Sequence, residues 1–381
     1  MSAKLRVKII RKMREVSQEG WDRLLMNLGS PFVKWDWLEI LEQTGCVNER
    51  TGWLPHHIVI ERDDRIVGVC PMYLKLHSMG EFVFDYEWAE FAHQLGIKYY
   101  PKMLVGAPFT PVTGRRFLTE RSEDRHALIQ LMGQTLIGIA RDNKLSSVHV
   151  NFCLADEGEA LEQIGFVPRV GLQFHWQNRG YRSFDDYLAA FRSERRNKIK
   201  RERRELSRQG IAIRAVEGDD LTPEHLRLMF RLYKGHIDRL YYGRQYLTQE
   251  FFDELSRRFT HHICLILAER ESRIIAGTLN LQDDTALYGR YWGAFREERY
   301  LHFNVCYYSA IEHCIHRGLR RFEAGAGGSF KQFRGLDPEL TRSMHYIVEG
   351  RFRRAVEQYL AQEREAVAQK HRTLLERSQL K

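Results

Sequence analysis

TALYGRYWGAFREERYLHFNVCYYSAIEHCIHRGLRRFEAGA, residues 285 to 326, decides how this chain is read. Thr285 to Ala294 is rich in the aromatic and aliphatic types that suit a pleated strand. A polar stretch, Phe295 to His302, follows it. Phe303, Cys306, Tyr307, Ala310, Ile311, Cys314 and Ile315 then recur on one helical face, and Gly318 stops the helix. Leu319 to Ala326 is a second strand, running into the glycines of Gly325 to Gly328. A helical crossover makes two such strands parallel neighbours. If they splay apart, backbone groups between them are left for an extended ligand, and the N–H groups at the helix start suit a pyrophosphate. Arg296 and Arg299 in the loop are the matching charges, although as solvated side chains they need no such partner.

Upstream, Ile211 to Val216 is a strand, and two helices are capped by Thr222, with Pro223 at its first position, and by Thr248. His261 to Asp284 is a hairpin turning at Glu271-Ser272, and Arg351 to about Gln369 forms a closing helix. Before these, Ser183 caps a helix that starts with the apolar stripe Phe184, Tyr187, Leu188 and Phe191 and becomes strongly basic from Arg192 to Arg208, where Gly210 ends it. In the first part, His56 to Ser78 is a hairpin with an Asp63-Asp64 turn. Arg121 to Asn143 has helical spacing, Ser146 to Phe152 is a strand, Asp156 to Ile164 a short helix, and Gly171 to Asn178 a strand. This mixed α/β (α+β) order gives segments 1–180, 181–210, 211–350 and 351–381: a first lobe, a basic linking helix, a second lobe and a terminal helix.

The 381 residues are 43% hydrophobic and 29% charged, a globular balance. No apolar run approaches the roughly 18 to 20 residues of a membrane span, and Met1 to Arg14 lacks a signal-peptide core, so a cytoplasmic protein is expected. Cys46, Cys70, Cys153, Cys264, Cys306 and Cys314 are scattered without a paired spacing, which suggests reduced core residues and no metal site. A net charge of +9 points to an anionic partner: nucleotide phosphates, nucleic acid or an acidic lipid surface.

The order strand, loop, helix, strand resembles the donor-binding half of Gcn5-related (GNAT) acyltransferases. YYPKMLVGAPFTPVTG (Tyr99 to Gly114), QFHWQNRGY (Gln173 to Tyr181), FRSERRNKIKRERR (Phe191 to Arg204), LYGRYWG (Leu287 to Gly293), LHFNVCYYSAIE (Leu301 to Glu312) and RFEAGAGGSFKQFRG (Arg321 to Gly335) extend the likeness. They resemble the FemAB-like N-acyltransferases, related to enzymes that add amino acids to peptidoglycan precursors. The resemblance implies a pair of GNAT-like lobes with the active cleft between or within them, and the second lobe is the one expected to be catalytic. It also exposes departures: Asn304 stands where the family has a carboxylate (LHFE), and Ser329 and Phe330 replace the Glu-His of a GEHK stretch.

An amine that attacks an acyl group must lose a proton, and the intermediate's oxyanion needs donors. Glu323, between Phe322 and Ala324, and His302, beside the loop, are the candidate bases. Packing alone also explains both: Glu323 as the ion partner of Arg290 or Arg334, His302 as a cap or core residue. Tyr291 is the candidate acid. Lys331 and Arg334 join Arg296 and Arg299 as donor-phosphate ligands, and Arg290, Trp292, His175, Trp176 and Asn304 are expected to line the substrate site. No metal and no permanent cofactor is expected; acyl-CoA or acyl carrier protein is the co-substrate.

The leading expectation is therefore transfer of a fatty acyl group to an amine. A sphingoid base is the specific acceptor, as in a ceramide synthase of sphingolipid metabolism, with the basic surface resting peripherally on the anionic inner membrane. The alternatives are a Fem-like aminoacyl-tRNA-dependent ligase acting on an envelope precursor and a non-catalytic lipid- or envelope-binding pair of lobes. Membrane or nucleotide contact is preferred to tRNA because no aromatic residue interrupts Arg192 to Arg208 to stack on bases.

Overall fold

The computed structural model describes residues 5–25, 30–241 and 243–380. The chain divides into two compact units: Met1–Gly171 with Leu340–Gln369, and Leu172–Glu339 with Lys370–Lys381. These units differ from the segments expected from sequence, because the chain returns to the first unit near its C-terminus. Met344 to Ile347 pair antiparallel with Ser147 to Val150, and Phe352, Val356 and Leu360 of the helix Gly350–Glu376 pack with Trp88 and Tyr99. That helix is longer at both ends than expected. Of the basic stretch at the N-terminus, Leu5–Ile10 is a strand, while its first four residues lie outside the described ones.

In the first unit the hairpin His57–Arg62 and Arg65–Cys70 turns at Asp63 and Asp64, which both take positive φ, 49° and 60°. Two successive left-handed residues give the twist that closes a two-residue hairpin, and short Asp side chains tolerate them. A second sheet places Trp53–Pro55, Met72–Lys75, Lys102–Val105 and Ser147–Val150 side by side, the last two parallel. Arg125–Asp142 lays Leu128, Ile129, Met132, Leu136 and Ile137 onto the core these strands build.

The second unit is one sheet in the order Ala212–Glu217, Ile263–Arg270, Arg273–Gln282, Ala286–Ala294, Arg321–Glu323 and the C-terminal half of Val167–Gln177. All neighbours are antiparallel except Ala286–Ala294 with Arg321–Glu323. Ser183, Thr222 and Thr248 each accept a backbone N–H at the start of a helix, as their positions suggest. The expected single helix after Ser183 is two, Phe184–Ala189 and Ser193–Arg208. Phe191 is completely buried and bridges to Leu380, and this turn inward breaks the helical path. The helix Pro223–Asp238 crosses the strand Ala286–Ala294 at Gly293, where a Cβ would lie 2.1 Å from the Leu232 carbonyl oxygen. Glycine in LYGRYWG is thus a requirement of close approach.

Glu157 is fully buried in the first unit, where it satisfies backbone donors that no strand or helix pairs. Its Oε1 accepts from the N–H groups of Arg116 (2.8 Å) and Phe117 (2.9 Å) and from Arg125 Nη2 (3.0 Å); its Oε2 accepts from the N–H of Leu154 (3.1 Å). Removing it strands buried donors and a guanidinium together. We expect Glu157→Ala to cost about 3–5 kcal/mol in denaturant unfolding, and Glu157→Gln clearly less. Equal losses for the two would mean that charge, and not donor satisfaction, is what Glu157 supplies.

Candidate active site

The parallel pairing inside the second unit is short. Ala286, Leu287 and Tyr288 pair with Arg321, Phe322 and Glu323. There Arg321–Glu323 ends, while its neighbour runs on to Ala294. The ladder ends at Tyr288 and Glu323, the point from which the two strands are free to diverge.

Pairing fixes what stands at the end of this ladder. Glu323 is opposite Tyr288 on one side and His175 on the other, and side chains directly opposite one another share a face. Alternation adds Gln173 and Arg321 to the same face. The other face carries Leu287, Phe322, Phe174 and Trp176 into the core. A polar row therefore lies across the sheet. Arg321 Nη2 is 2.8 Å from Glu323 Oε1, His175 Nε2 is 3.8 Å from Glu323 Oε2, and His175 Nε2 is 3.1 Å from Gln173 Oε1. Glu323 meets Arg321, a residue the sequence reading did not offer as its partner. Arg290, one of the two arginines expected beside it, is also coupled to Glu323 by charge.

Arg290 occupies a β-bulge. Leu279 pairs with Tyr291 and Asn280 with Gly289, so Arg290 is the extra residue. A bulge breaks strict alternation and re-aims the side chains beyond it. Leu287 and Trp292, five positions apart, would otherwise face opposite ways, yet both pack in one core cluster. Tyr291 is sent instead against Tyr233, with ring centroids 5.0 Å apart. Tyr291 and Trp292 are thus packing residues here, and Trp176 is a core residue at 1% exposure.

Beyond Glu323 the chain folds over the strand ends. Lys331 is buried and donates from Nζ to the carbonyls of Gly325 (2.7 Å) and Ala326 (3.3 Å). Burial pushes its pKa down to about 8. Its charge reaches both His175 and His302. Burial, with Arg321 and then Lys331 nearby, pushes His175 down to about 3. Burial, with Arg334, His236 and Lys331, pushes His302 to about 4, so both rings are neutral near pH 7. His302 packs among Trp292, Phe303 and Tyr307, with centroids 5.2, 5.7 and 5.6 Å away.

Arg334 and Lys331 are buried rather than surface charges. The Arg334 guanidinium lies 3.5 Å from the Phe303 ring centroid and donates to the Phe330 carbonyl at 2.9 Å. Arg296 and Arg299 stay exposed in the loop. The helix beyond it starts at Leu301 and contains a π-helical segment, Asn304–Tyr308, an insertion that often marks functional places. Asn304 is buried and donates to the carbonyls of Glu202 (3.3 Å) and Tyr300 (2.9 Å), tying this helix to the basic one. Arg321, Tyr288 and Gln173 escaped the sequence reading. The signal for Gln173 and Arg321 was present as alternation of polar and apolar residues in QFHW and RFE.

The basic helix Ser193–Arg208 buries Ile199, Glu202 and Leu206. Arg203 pairs with Glu312 at 2.7 Å, while Arg195 lies 4.7 Å from the centroid of Phe333, an exposed ring. No described helix is long and apolar enough to cross a membrane.

The FemAB-like family, described as peptidoglycan biosynthesis/recognition, matches residues 12–381. No curated protein matches by sequence. Among solved structures, FemX is 13% identical with a TM-score of 0.54, covering 93% of this chain and 99% of its own. L-PGS from Bacillus licheniformis is 9% identical with a TM-score of 0.52, covering 88% and 93%. The C-terminal domain of a putative lysylphosphatidylglycerol synthetase from Agrobacterium fabrum is 8% identical with a TM-score of 0.53, covering 90% and 95%. At these identities the likeness is one of fold.

The burial of His175 sets a pH dependence. Its folded pKa lies near 3, below the ordinary 6.5, so the unfolded chain binds a proton that the folded chain refuses. Its contribution is intact above pH 6.5 and is lost as the pH falls towards 3. His175→Gln should flatten stability against pH in that window by up to roughly 1.4 kcal/mol per pH unit, read by denaturant unfolding. An unchanged slope would show that His175 protonates freely in the folded protein.

Proposed function

We propose, from the premise that this chain belongs to the FemAB-like family and is an amide-forming transferase of the tandem GNAT fold, that it moves an aminoacyl group from aminoacyl-tRNA to an amine of a peptidoglycan-type envelope precursor. The observation that carries the reading is the polar row of His175, Glu323 and Arg321 standing where the two parallel strands part. A nucleic-acid donor is favoured by Phe333. No aromatic residue stands within the basic run, but folding brings this exposed ring against Arg195, which pairs a stacking platform with phosphate-binding charge.

In this reaction the amine nitrogen bonds to the ester carbonyl carbon, the carbon–oxygen bond to the ribose breaks, and the ribose oxygen leaves with a proton. Glu323 takes the proton that the amine loses. Lys331, held at the strand ends with its pKa near 8, supplies positive charge to the oxyanion. Arg321 holds the Glu323 carboxylate in place through their 2.8 Å contact.

A second reading keeps the fatty acyl group on acyl-CoA or acyl carrier protein, with a sphingoid base as acceptor at an anionic membrane. The parted strands and the exposed Arg296 and Arg299 beside the helix start support it. The matched family and the three structures carry no such name.

One experiment separates the two. Purified protein is given charged tRNA with a peptidoglycan-precursor peptide and, in parallel, sphinganine with acyl-CoA of several chain lengths; amides are read by mass spectrometry. We expect product only in the first mixture, abolished by ribonuclease. Amide from acyl-CoA alone would establish the second reading. Glu323→Gln and Lys331→Met should each lower kcat about a hundredfold or more in protein that circular dichroism shows to be folded, with some loss of melting temperature because each removes a buried contact, whereas Arg195→Ala and Phe333→Ala should raise KM for tRNA and spare kcat. Full activity in Glu323→Gln would remove the polar row from the chemistry.

A further inference from the structure

We propose that the second unit holds a structural zinc ion between Glu217, Cys264 and His313. Ligand atoms of these three residues lie within 4.8 Å of one another. They come from three elements: Glu217 closes the strand Ala212–Glu217, Cys264 stands opposite it in the strand Ile263–Arg270, and His313 projects from the helix Ser309–His316. Thiolate, imidazole and carboxylate are the donor set that zinc prefers, with bonds of about 2.0 to 2.3 Å, and a tetrahedron of such bonds spaces its donors by about 3.3 to 3.8 Å. Small adjustments of side chains already this close suffice. The cluster lies on the sheet face that carries Cys264 and Leu287, opposite the polar row.

The surroundings already draw the carboxylate and the ring together. Gln282 Nε2 donates to Glu217 Oε2 at 2.5 Å, and its Oε1 is 3.0 Å from His313 Nε2. One carboxamide thereby bridges the carboxylate and the ring; on binding, His313 Nε2 gives up its contact with Gln282 Oε1 to the metal, its proton moving to Nδ1, and the freed amide oxygen becomes the fourth donor. Arg317 Nε lies 3.5 Å from Glu217 Oε1 and so occupies the other carboxylate oxygen. His313 Nε2 and Glu217 Oε2 are already 3.8 Å apart. Binding displaces the thiol proton of Cys264 to solvent and changes no oxidation state. With one thiolate and one carboxylate the site neutralises a divalent ion, and burial of Cys264 and His313 excludes water. Hard ions such as magnesium gain little from sulfur and nitrogen donors, so zinc is the ion selected. Such an ion would fasten the edge strand Ala212–Glu217 and the helix beyond the loop onto one point of the sheet.

The experiment uses the full chain, purified without added chelator. Elemental analysis should find about one zinc per chain, and replacing it with cobalt should give intense tetrahedral visible bands with a thiolate-to-cobalt charge-transfer band in the near ultraviolet. The charge-transfer band should vanish in Cys264→Ser and persist in Cys314→Ser. Stripping the metal with a strong chelator should lower the melting temperature of the wild type, and zinc alone should restore it, so the test does not depend on the variants folding. A wild-type chain that retains no zinc and gives no cobalt spectrum overturns the proposal. So does a charge-transfer band that survives Cys264→Ser or disappears with Cys314→Ser.

Discussion

Two parallel strands that share only three residue pairs are the constraint on which the rest of the second unit depends. Past Tyr288 and Glu323 the backbone of Gly289 to Ala294 lacks that neighbour, and the bulge at Arg290 bends this same stretch. Parting strands cost ladder hydrogen bonds, and a bulge costs one more. Such losses of about 1 kcal/mol each are tolerated where the sheet is held from outside. Here the helix Pro223–Asp238 presses directly onto Gly293, and the helix after the loop packs its Val305, Tyr308 and Ile311 into the core below. The residues around the end of the ladder are held by this packing.

Charge at this strand end is handled by pairing. Glu323 is 2% exposed, a place where an isolated carboxylate would cost several kcal/mol. Arg321 compensates it at 2.8 Å, and the neighbouring imidazole of His175 is kept neutral by burial. Lys331 has a different solution. It meets two carbonyls and no carboxylate of the polar row, and its pKa falls to about 8. A lysine poised between charged and neutral, at the end of a strand whose last residue is a carboxylate, is a configuration suited to proton movement at physiological pH. Arg334, by contrast, is absorbed by Phe303 and the Phe330 carbonyl, so its charge supports packing more than ligand binding.

The features legible in the sequence are those that local chemistry determines. Asp63-Asp64 and Glu271-Ser272 turn as read, with positive φ at all four residues. Ser183, Thr222 and Thr248 cap their helices because a hydroxyl three residues before a free N–H has little else to do. The strand–loop–helix–strand order was legible for the same reason. Features settled by distant partners were not. Nothing in LYGRYWG marks Arg290 as the bulged residue, since only pairing with Leu279 and Asn280 defines it. Arg321 carried no role in the sequence reading, and only the folded strand shows its guanidinium against Glu323. Leu340 to Ile347 joins the first unit because Ser147 to Val150 waits there, a contact no window of sequence contains. The six cysteines lack any spacing motif, yet folding brings Cys264 to His313 and Glu217.

The departures from the family pattern also acquire a physical account. Asn304 stands where a carboxylate is expected, but the position faces the carbonyl oxygens of Glu202 and Tyr300, and its amide donates to both. A carboxylate there would put an acceptor against two acceptors, beside the buried Glu202 side chain, which already accepts from Tyr308 at 2.5 Å. Phe330, in place of a histidine, packs 6.3 Å from Phe303 and 6.0 Å from Tyr307 over Arg334. Both substitutions therefore serve contacts between the π-helical segment, the basic helix and the Ser329–Arg334 turn. They leave Lys331 and Glu323 untouched, the two residues that meet the parted strands. A mechanism that drew its base from positions 304 or 330 fails in this chain; one that draws it from Glu323 loses nothing by them.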